Sequence, residues 1–394
     1  MSKHNFFVKF LKKINLFINS LLEKKLNKLN FLFEADKLLI FFNFKRIIGF
    51  LIILLFVIFS YLFIPYIYNG NKLATKIQNQ LFTDLGINLN LSNNFTYNLF
   101  PKPNFVFQEI EFINETKKFA DIKEMKTYVS FKNLFSINKI NIEKIVLNKA
   151  NFDLNKNNYK FFTNILNKNL SNFNFNINNS SIIFKNIEND VLFINKINQL
   201  KYFFDSKDKK NTLTSKNEIF NIPYTVEFKD YPDKKKIISK FDFNFLKLQI
   251  HNELNYEKIF KNGFVKFDYN NNKSEISYEI KKNFLNFVFF DKSQNKNFEY
   301  KGNINFIPFF SVISGDIKGI NIKHFFNSES LYIQLLKTEL LNNKNLNINT
   351  TIKAEQIVPY NDLKNLLLSF KIEDGLIDIN KSKFSWLDYV DFQI

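Results

Sequence analysis

The side chains that most often catalyse reactions or ligate metals are few and scattered in this chain of 394 residues. The three histidines, His4, His251 and His324, share no metal-ligand spacing, and no pair of the HExxH type occurs. The absence of cysteine excludes disulfides, cysteine–zinc sites and thiol nucleophiles. The glycine pair in residues 315–319 predicts a turn rather than a phosphate-binding loop. We therefore predict a protein that is not an enzyme and that binds no cofactor or metal.

The abundant side chains are aromatic rings and lysines, with 52 Phe, 16 Tyr and a net charge of +18. Lys, Asn, Ile and Phe dominate while Gly and Pro are scarce, a bias typical of AT-rich codons. Part of the net positive charge therefore reflects codon usage rather than function. Aromatic rings among lysines could bind single-stranded nucleic acid. The membrane segment described below argues against that partner, and we expect no nucleic-acid binding.

Apolar side chains on one face of a curled sheet would line an apolar groove if the sheet does not close on itself. Each CH₂ group removed from water contributes about 0.8 kcal/mol. The candidate groove-lining residues are Phe105, Phe107, Ile140, Ile142, Phe243, Phe245, Phe287 and Phe289. The same pattern also fits an ordinary hydrophobic core, and the sequence does not tell which face points inward.

One stretch organises the chain, the uncharged apolar run over residues 47–64. A helix of about 20 apolar residues matches the ~30 Å hydrocarbon core of a bilayer. Lys45 and Arg46 precede the run, and Tyr61, Tyr66 and Tyr68 lie at its far end, where aromatic rings prefer the interface. The run therefore predicts a transmembrane helix over residues 46–68.

Residues 1–45 carry nine lysines against Glu23, Glu34 and Asp36. Apolar residues recur among the lysines at helical spacing, which predicts a basic amphipathic segment on a membrane surface, on another protein or as a loosely ordered tail. Basic flanks of a membrane helix stay cytoplasmic. We expect a single-pass inner-membrane protein with its N-terminus in the cytoplasm and its remaining chain in the periplasm.

After the span the hydrophobic period changes. A short helix is predicted over residues 72–86, ended by Gly86. From residue 87 onwards, apolar and polar residues alternate at strand period. Residues 177–184 are among the predicted strands, and residues 178–180 are among the predicted turns. Helical spacing returns over residues 323–341 and, more briefly, over 360–367.

The fold expected for residues 87–394 is mainly β. About 20 strands are too many for one compact sandwich, and at ~4.8 Å per strand they would form a ladder on the order of 95 Å long. We predict a transmembrane helix followed by an elongated, curled antiparallel sheet, a repeating β-groove, with a few short helices.

Three stretches carry a family resemblance. The short helix ends at Leu85-Gly86, the turn Asn98-Leu99-Phe100-Pro101-Lys102-Pro103 follows, and residues 133–147 read NLFSINKINIEKIVL. In this order after a membrane helix, the motifs resemble the N-terminal region of the AsmA-like family of bacterial envelope proteins. Residues 47–154 carry the best match, and Ser136 or Asn138 stands where the family usually has glycine.

The resemblance implies a membrane anchor with a periplasmic β-groove body and a role in outer-membrane homeostasis. Larger relatives are thought to conduct phospholipids along an apolar groove, so the expected partners are the inner membrane and phospholipid. The alternative is an assembly or scaffold factor that contacts an outer-membrane or other envelope protein through its β-edge.

Overall fold

The structure is a computed structural model. It describes residues 44–393 except 87, 115–116, 156–157, 159–173, 186–188, 257–260, 282–283, 291–298, 307–308, 326, 339, 342 and 380. Residues 1–43, with His4 and nearly all of the predicted basic segment, lie outside the described residues.

The apolar run forms helix α1, Phe44–Phe63, which continues into a 3₁₀ turn, Ile64–Ile67. Pro65 explains the change of helix type, because proline lacks an N–H and disfavours helical backbone in the residue before it. The segment over residues 48–67 is long and apolar enough to cross a membrane, and most of its side chains are exposed. This is the one long apolar helix that the sequence predicts.

Helix α2, Gly70–Leu85, confirms the predicted short helix and begins two residues earlier. The Asn69 side chain caps its first turn by accepting a hydrogen bond from the Lys72 N–H at 3.1 Å. Gly86 ends the helix in a left-handed conformation, with φ at 71°, which glycine adopts without steric cost. The helix buries Leu73, Ala74, Ile77 and Leu81.

The described residues form 21 strands in a single sheet. The strands are β1 (Asn88–Asn90), β2 (Thr96–Asn98), β3 (Asn104–Asn114), β4 (Lys117–Val129), β5 (Ile142–Leu154), β6 (Asn174–Lys185), β7 (Val191–Asp205), β8 (Lys210–Ile219), β9 (Ile222–Tyr231), β10 (Lys236–Phe243), β11 (Leu248–Tyr256), β12 (Lys261–Tyr269), β13 (Asn272–Lys281), β14 (Phe284–Phe290), β15 (Glu299–Phe306), β16 (Phe309–Asn321), β17 (Ile348–Val358), β18 (Tyr360–Glu373), β19 (Leu376–Asp378), β20 (Lys383–Trp386) and β21 (Val390–Gln393).

The strands pair in chain order, so the sheet is a long meander. Strands β1 and β2 share one edge of β3, while β19 and β20 share one edge of β18. Pairing is antiparallel except at two junctions, β5–β6 and β16–β17. The second crossover carries the short helices α3 (Ile322–Phe325) and α4 (Leu331–Leu336). The prediction of a large, open, curled and mainly antiparallel sheet is confirmed.

Three local predictions were wrong. Residues 360–367 are not helical but begin β18, because pairing with β17 overrides the helix propensity of their leucines. The helical region predicted for residues 323–341 is reduced to α3 and α4. The glycine pair in residues 315–319 lies inside β16 rather than in a turn.

The predicted turn at residues 178–180 is also part of a strand, and its backbone explains the error. Asn179 has φ at 48° inside β6, and asparagine tolerates this left-handed conformation better than most residues. The register of β5 with β6 is the same on both sides of it. The unusual residue changes which way the following side chains point without ending the strand.

This change of direction recurs across neighbouring strands. Lys149 is directly opposite Asn179 by register and is also left-handed, with φ at 54°. Ile145 and Leu147 are buried before Lys149, and Ala150 and Phe152 are buried after it, so the alternation shifts by one residue. A left-handed residue, Asn365, makes a similar interruption in β18, beside the second parallel junction.

Candidate functional site: an apolar face across the sheet

The register identifies which side chains share a face, because directly opposed residues of paired strands point to the same side. One row starts at Phe105 in β3 and ends at Leu368 in β18. Its members are Phe105, Thr127, Ile145, Phe175, Tyr202, Leu213, Phe228, Ser239, Asn252, Val265, Ile276, Phe289, Tyr300, Gly315, Ile352 and Leu368.

Adjacent rows on the same side have the same character. The next row contains Phe204, Asn211, Asp230, Ile237, Leu254, Gly263, Tyr278, Phe287, Gly302, Ile313, Thr350 and Phe370. We call the side of the sheet that holds these rows the apolar face. It is continuous across sixteen strands, from β3 to β18.

The opposite side, which we call the polar face, carries mostly charged and amide side chains. One of its rows contains Gln108, Glu124, Asn148, Asn178, Gln199, Lys216, Thr225, Asp242, Gln249, Asp268 and Lys273. Neighbours in the row are hydrogen-bonded, as where Asn148 donates to Glu124 at 2.6 Å and Asn178 donates to Asn148 at 2.9 Å. The contrast shows that the sheet has one side suited to water and one suited to apolar contacts.

Two shallow depressions lie on the polar face, with volumes of about 480 and 830 Å³. Lys240 lines both, and His251 and Lys266 line the larger one. Lysines around them face carboxylates, as in the Lys229–Glu227 pair at 2.6 Å. Among the described residues, no three His, Asp or Glu side chains form a group that could hold a metal ion.

The apolar face is closed at its N-terminal end. Phe105 and Phe107 are fully buried. The ring of Phe95 lies 5.4 Å from that of Phe105 in an edge-to-face contact, and the ring of Tyr97 lies 5.4 Å away on a tilted plane. In β9 to β14 most of the same face is only half-buried, as at Phe228 and Phe289, although Asp230, Ser239 and Tyr278 are buried.

Three glycines on the apolar face each lie beneath an aromatic ring from the directly opposed residue. The pairs are Gly263 with Tyr278, Gly302 with Phe287, and Gly315 with Tyr300. A Cβ atom at Gly315 would lie 2.4 Å from the Tyr300 ring, so only glycine admits the ring in this position. The rings therefore lie flat across the neighbouring strand, and in this part of the apolar face the side chains rise little above the backbone of the sheet.

Three of the tyrosine hydroxyls on the apolar face follow a regular pattern. Each donates a hydrogen bond to an Asn or Asp side chain two strands back. The pairs are Tyr224 to Asn195 at 2.8 Å, Tyr256 to Asp230 at 2.9 Å and Tyr278 to Asn252 at 2.6 Å. Each tyrosine side chain thus crosses one intervening strand and ends on a partner in the sheet, which satisfies its hydroxyl without solvent.

Burial sets the electrostatics of this face. It raises the pKa of Tyr224 and, with a smaller contribution from Asp230, that of Tyr256, both to about 12. Asp230 is 2% exposed, and this burial raises the pKa of its carboxyl, while the hydrogen bond from Tyr256 opposes the rise. The phenols are therefore neutral donors at physiological pH.

The structure places six of the eight predicted groove residues on the apolar face: Phe105, Phe107, Ile142, Phe243, Phe287 and Phe289. The first three are fully buried, so they belong to the closed end. Phe287 and Phe289 lie in adjacent rows of the half-buried part, and Phe243 stacks on Tyr224. Their contact with a ligand stays a prediction.

The other two predicted residues lie outside the strands. Ile140 is buried after the 3₁₀ turn Ile137–Lys139. Phe245 is 56% exposed in the 3₁₀ turn Asn244–Leu246 between β10 and β11. The sequence analysis missed the glycine–aromatic pairs, although glycine inside an alternating strand signals a close approach in a chain with only eight glycines.

Comparison with known proteins agrees with the order of elements. A sequence model of the AsmA family matches residues 45–202, from the start of the membrane helix into β7. No curated protein matches the chain.

Proposed function

We propose that this chain, which is AsmA-like over residues 45–202, is a membrane-anchored envelope protein that binds phospholipid acyl chains along its apolar face. The protein would hold or pass lipid without catalysing a reaction. The single observation that carries the proposal is the continuity of the apolar face from β3 to β18, with its half-buried central part.

The geometry of the central part fits an extended apolar ligand. The rings over Gly263, Gly302 and Gly315 occupy the positions that side chains of larger residues would fill, so apolar surface continues across these strands. Three tyrosine hydroxyls are satisfied within the face, so contact with an acyl chain would leave none of these three without a hydrogen bond. Burial of each CH₂ group would contribute about 0.8 kcal/mol, and the headgroup would stay outside.

The proposed location follows from the anchor and its flanks. The helix over residues 48–67 supports membrane attachment. The lysine-rich residues before it support a cytoplasmic N-terminus by the positive-inside rule, and hence an inner-membrane protein whose sheet lies in the periplasm. In that compartment the apolar face would serve outer-membrane lipid homeostasis.

Adjacent positions of β14 provide a test with a matched control. Phe289 points to the apolar face, opposite Ile276 and Tyr300, while Val288 points to the polar face, opposite Ser277 and Lys301. A photo-crosslinking amino acid at each position of the full chain, irradiated in living cells, should yield a phospholipid adduct at 289 and little at 288. Equal yields at the two positions, or no lipid adduct at 289, would refute the proposal.

A second function, scaffolding through a β-edge, is favoured by an observation at the other end of the sheet. Strand β21 pairs with β20, and around this hairpin Trp386, Tyr389, Val390 and Phe392 expose apolar surface. An edge of this kind suits an added strand from a partner protein. If this second function is the right one, a crosslinker at residue 389 should capture an envelope protein, and a crosslinker at residue 289 should capture no lipid.

A further inference from the structure

Three exposed phenylalanines lie at one end of the first strands. Phe100 is 79% exposed, Phe131 49% and Phe135 57%. Their turns are neighbours, because the Val129 N–H donates to the Pro103 carbonyl at 3.0 Å just outside the β3–β4 ladder. Such rings gain nothing from water, and grouped exposed apolar side chains on a folded surface commonly mark a contact site.

The loop that holds Phe131 and Phe135 is anchored rather than loosely attached. Leu134, between them, is fully buried, and Ile140 is 5% exposed. The backbone turns through two hydrogen bonds, Ser136 N–H to the Asn133 carbonyl at 3.2 Å and Lys139 N–H to the Ser136 carbonyl at 3.0 Å. The two rings are therefore presented outward by a built loop.

This loop is tied to the chain directly beyond the membrane span. The Tyr68 hydroxyl donates a hydrogen bond to the Leu134 carbonyl. Tyr68 is bonded to Ile67, the last residue of the apolar span, and neighbouring Cα atoms are about 3.8 Å apart. The loop is thus hydrogen-bonded to the residue that directly follows the apolar span.

The charges around the rings suit the same surface. Lys132 and Lys139 are exposed on the loop, and Lys102 is exposed on the neighbouring turn. The Lys139 ammonium lies 5.8 Å from the centroid of the Phe135 ring. Lysines beside apolar rings are the combination that binds an anionic bilayer surface, with the rings among the acyl chains and the ammonium groups at the phosphates.

We propose that Phe100, Phe131 and Phe135 form a second contact with the membrane. Their rings insert into the leaflet at which the span ends. The contact would hold the first strands of the sheet against the lipid surface. This inference does not rest on lipid binding by the apolar face.

The absence of cysteine allows a direct test on the full chain. Single cysteines at residues 100, 135 and 245 carry a fluorescent label, and the protein is reconstituted in vesicles of phosphatidylethanolamine and phosphatidylglycerol. Phe245 is the control, because it is as exposed as Phe135 but lies in a turn at the opposite end of the strands. A spin label high on the acyl chain, or on the headgroup, serves as the quencher.

Insertion predicts that the acyl-chain quencher acts several-fold more strongly at residues 100 and 135 than at 245. It also predicts that at residue 135 the acyl-chain quencher exceeds the headgroup quencher. Stronger headgroup quenching at 135, or equal quenching at 135 and 245, would overturn the proposal. Because all three phenylalanines are exposed, the cysteine variants should fold, and matching far-ultraviolet circular dichroism would confirm this.

Discussion

The closed end of the apolar face and its half-buried central part, which we call the open part, behave differently although both are rich in aromatic and aliphatic side chains. In β3 to β5 the apolar face is a closed core, in which Phe105, Phe107 and Leu147 are fully buried. In β9 to β14 the face continues without a break in register, but Phe228, Val265 and Phe289 are only half-buried. We therefore assign the stability of the fold mainly to the closed end and the proposed lipid binding to the open part, because a closed core has no space for a ligand.

The largest expected effect tests the closed end. Phe105→Ala removes a fully buried ring that contacts Phe95, Tyr97 and Tyr68, and should lower the free energy of unfolding by about 3–5 kcal/mol. Phe289→Ala, on the same face, should cost clearly less because its ring is half-exposed. Chemical denaturation of the full chain in detergent measures both, and equal losses would contradict the division into two parts.

The next effect concerns the aromatic rings that pack over glycines on the apolar face. In Gly315→Ala the new methyl group would lie 2.4 Å from the Tyr300 ring, so the ring must move, at a cost of about 1–3 kcal/mol. Gly319→Ala in the same strand is the control, since its Cβ would meet nothing closer than 3.6 Å. Thermal unfolding should separate the two variants, and adding Tyr300→Ala should recover part of the loss.

The glycine pairs also show how far sequence reasoning reaches. The alternation of apolar and polar residues predicts the sheet and its two faces, because side-chain period is a local property. The flat rings and the tyrosine hydrogen bonds depend on register between strands, and nothing local in Gly315 or Tyr278 specifies that register. The turn predicted at residues 178–180 is a related error. A turn and a change of face within a strand can use the same left-handed backbone conformation, which Asn179 adopts.

A smaller effect comes from the charge buried in the open part. Burial raises the pKa of Asp230 above its ordinary 3.8, so the carboxylate disfavours folding once the pH rises through the folded-state pKa. Asp230→Asn keeps an acceptor for the Tyr256 hydroxyl and removes this charge. The variant should be more stable than the wild type at pH 7, and thermal melts at falling pH should show the difference vanish near pH 3.8 and below. A variant less stable at pH 7 would contradict the sign.

The smallest expected effect concerns the hydroxyls that the open part satisfies within itself. Tyr278→Phe keeps the ring over Gly263 but removes the 2.6 Å hydrogen bond to Asn252, and should cost about 0.5–1.5 kcal/mol. Asn252 still donates to Ser239 at 3.2 Å, so the face should keep its structure. If the open part binds acyl chains, the same substitution should leave lipid crosslinking at residue 289 nearly unchanged, because the ring and not the hydroxyl faces the ligand. A large loss of crosslinking with a small loss of stability would instead assign the tyrosine hydroxyls to headgroup recognition. The open part would then contain a polar binding region in addition to its apolar surface.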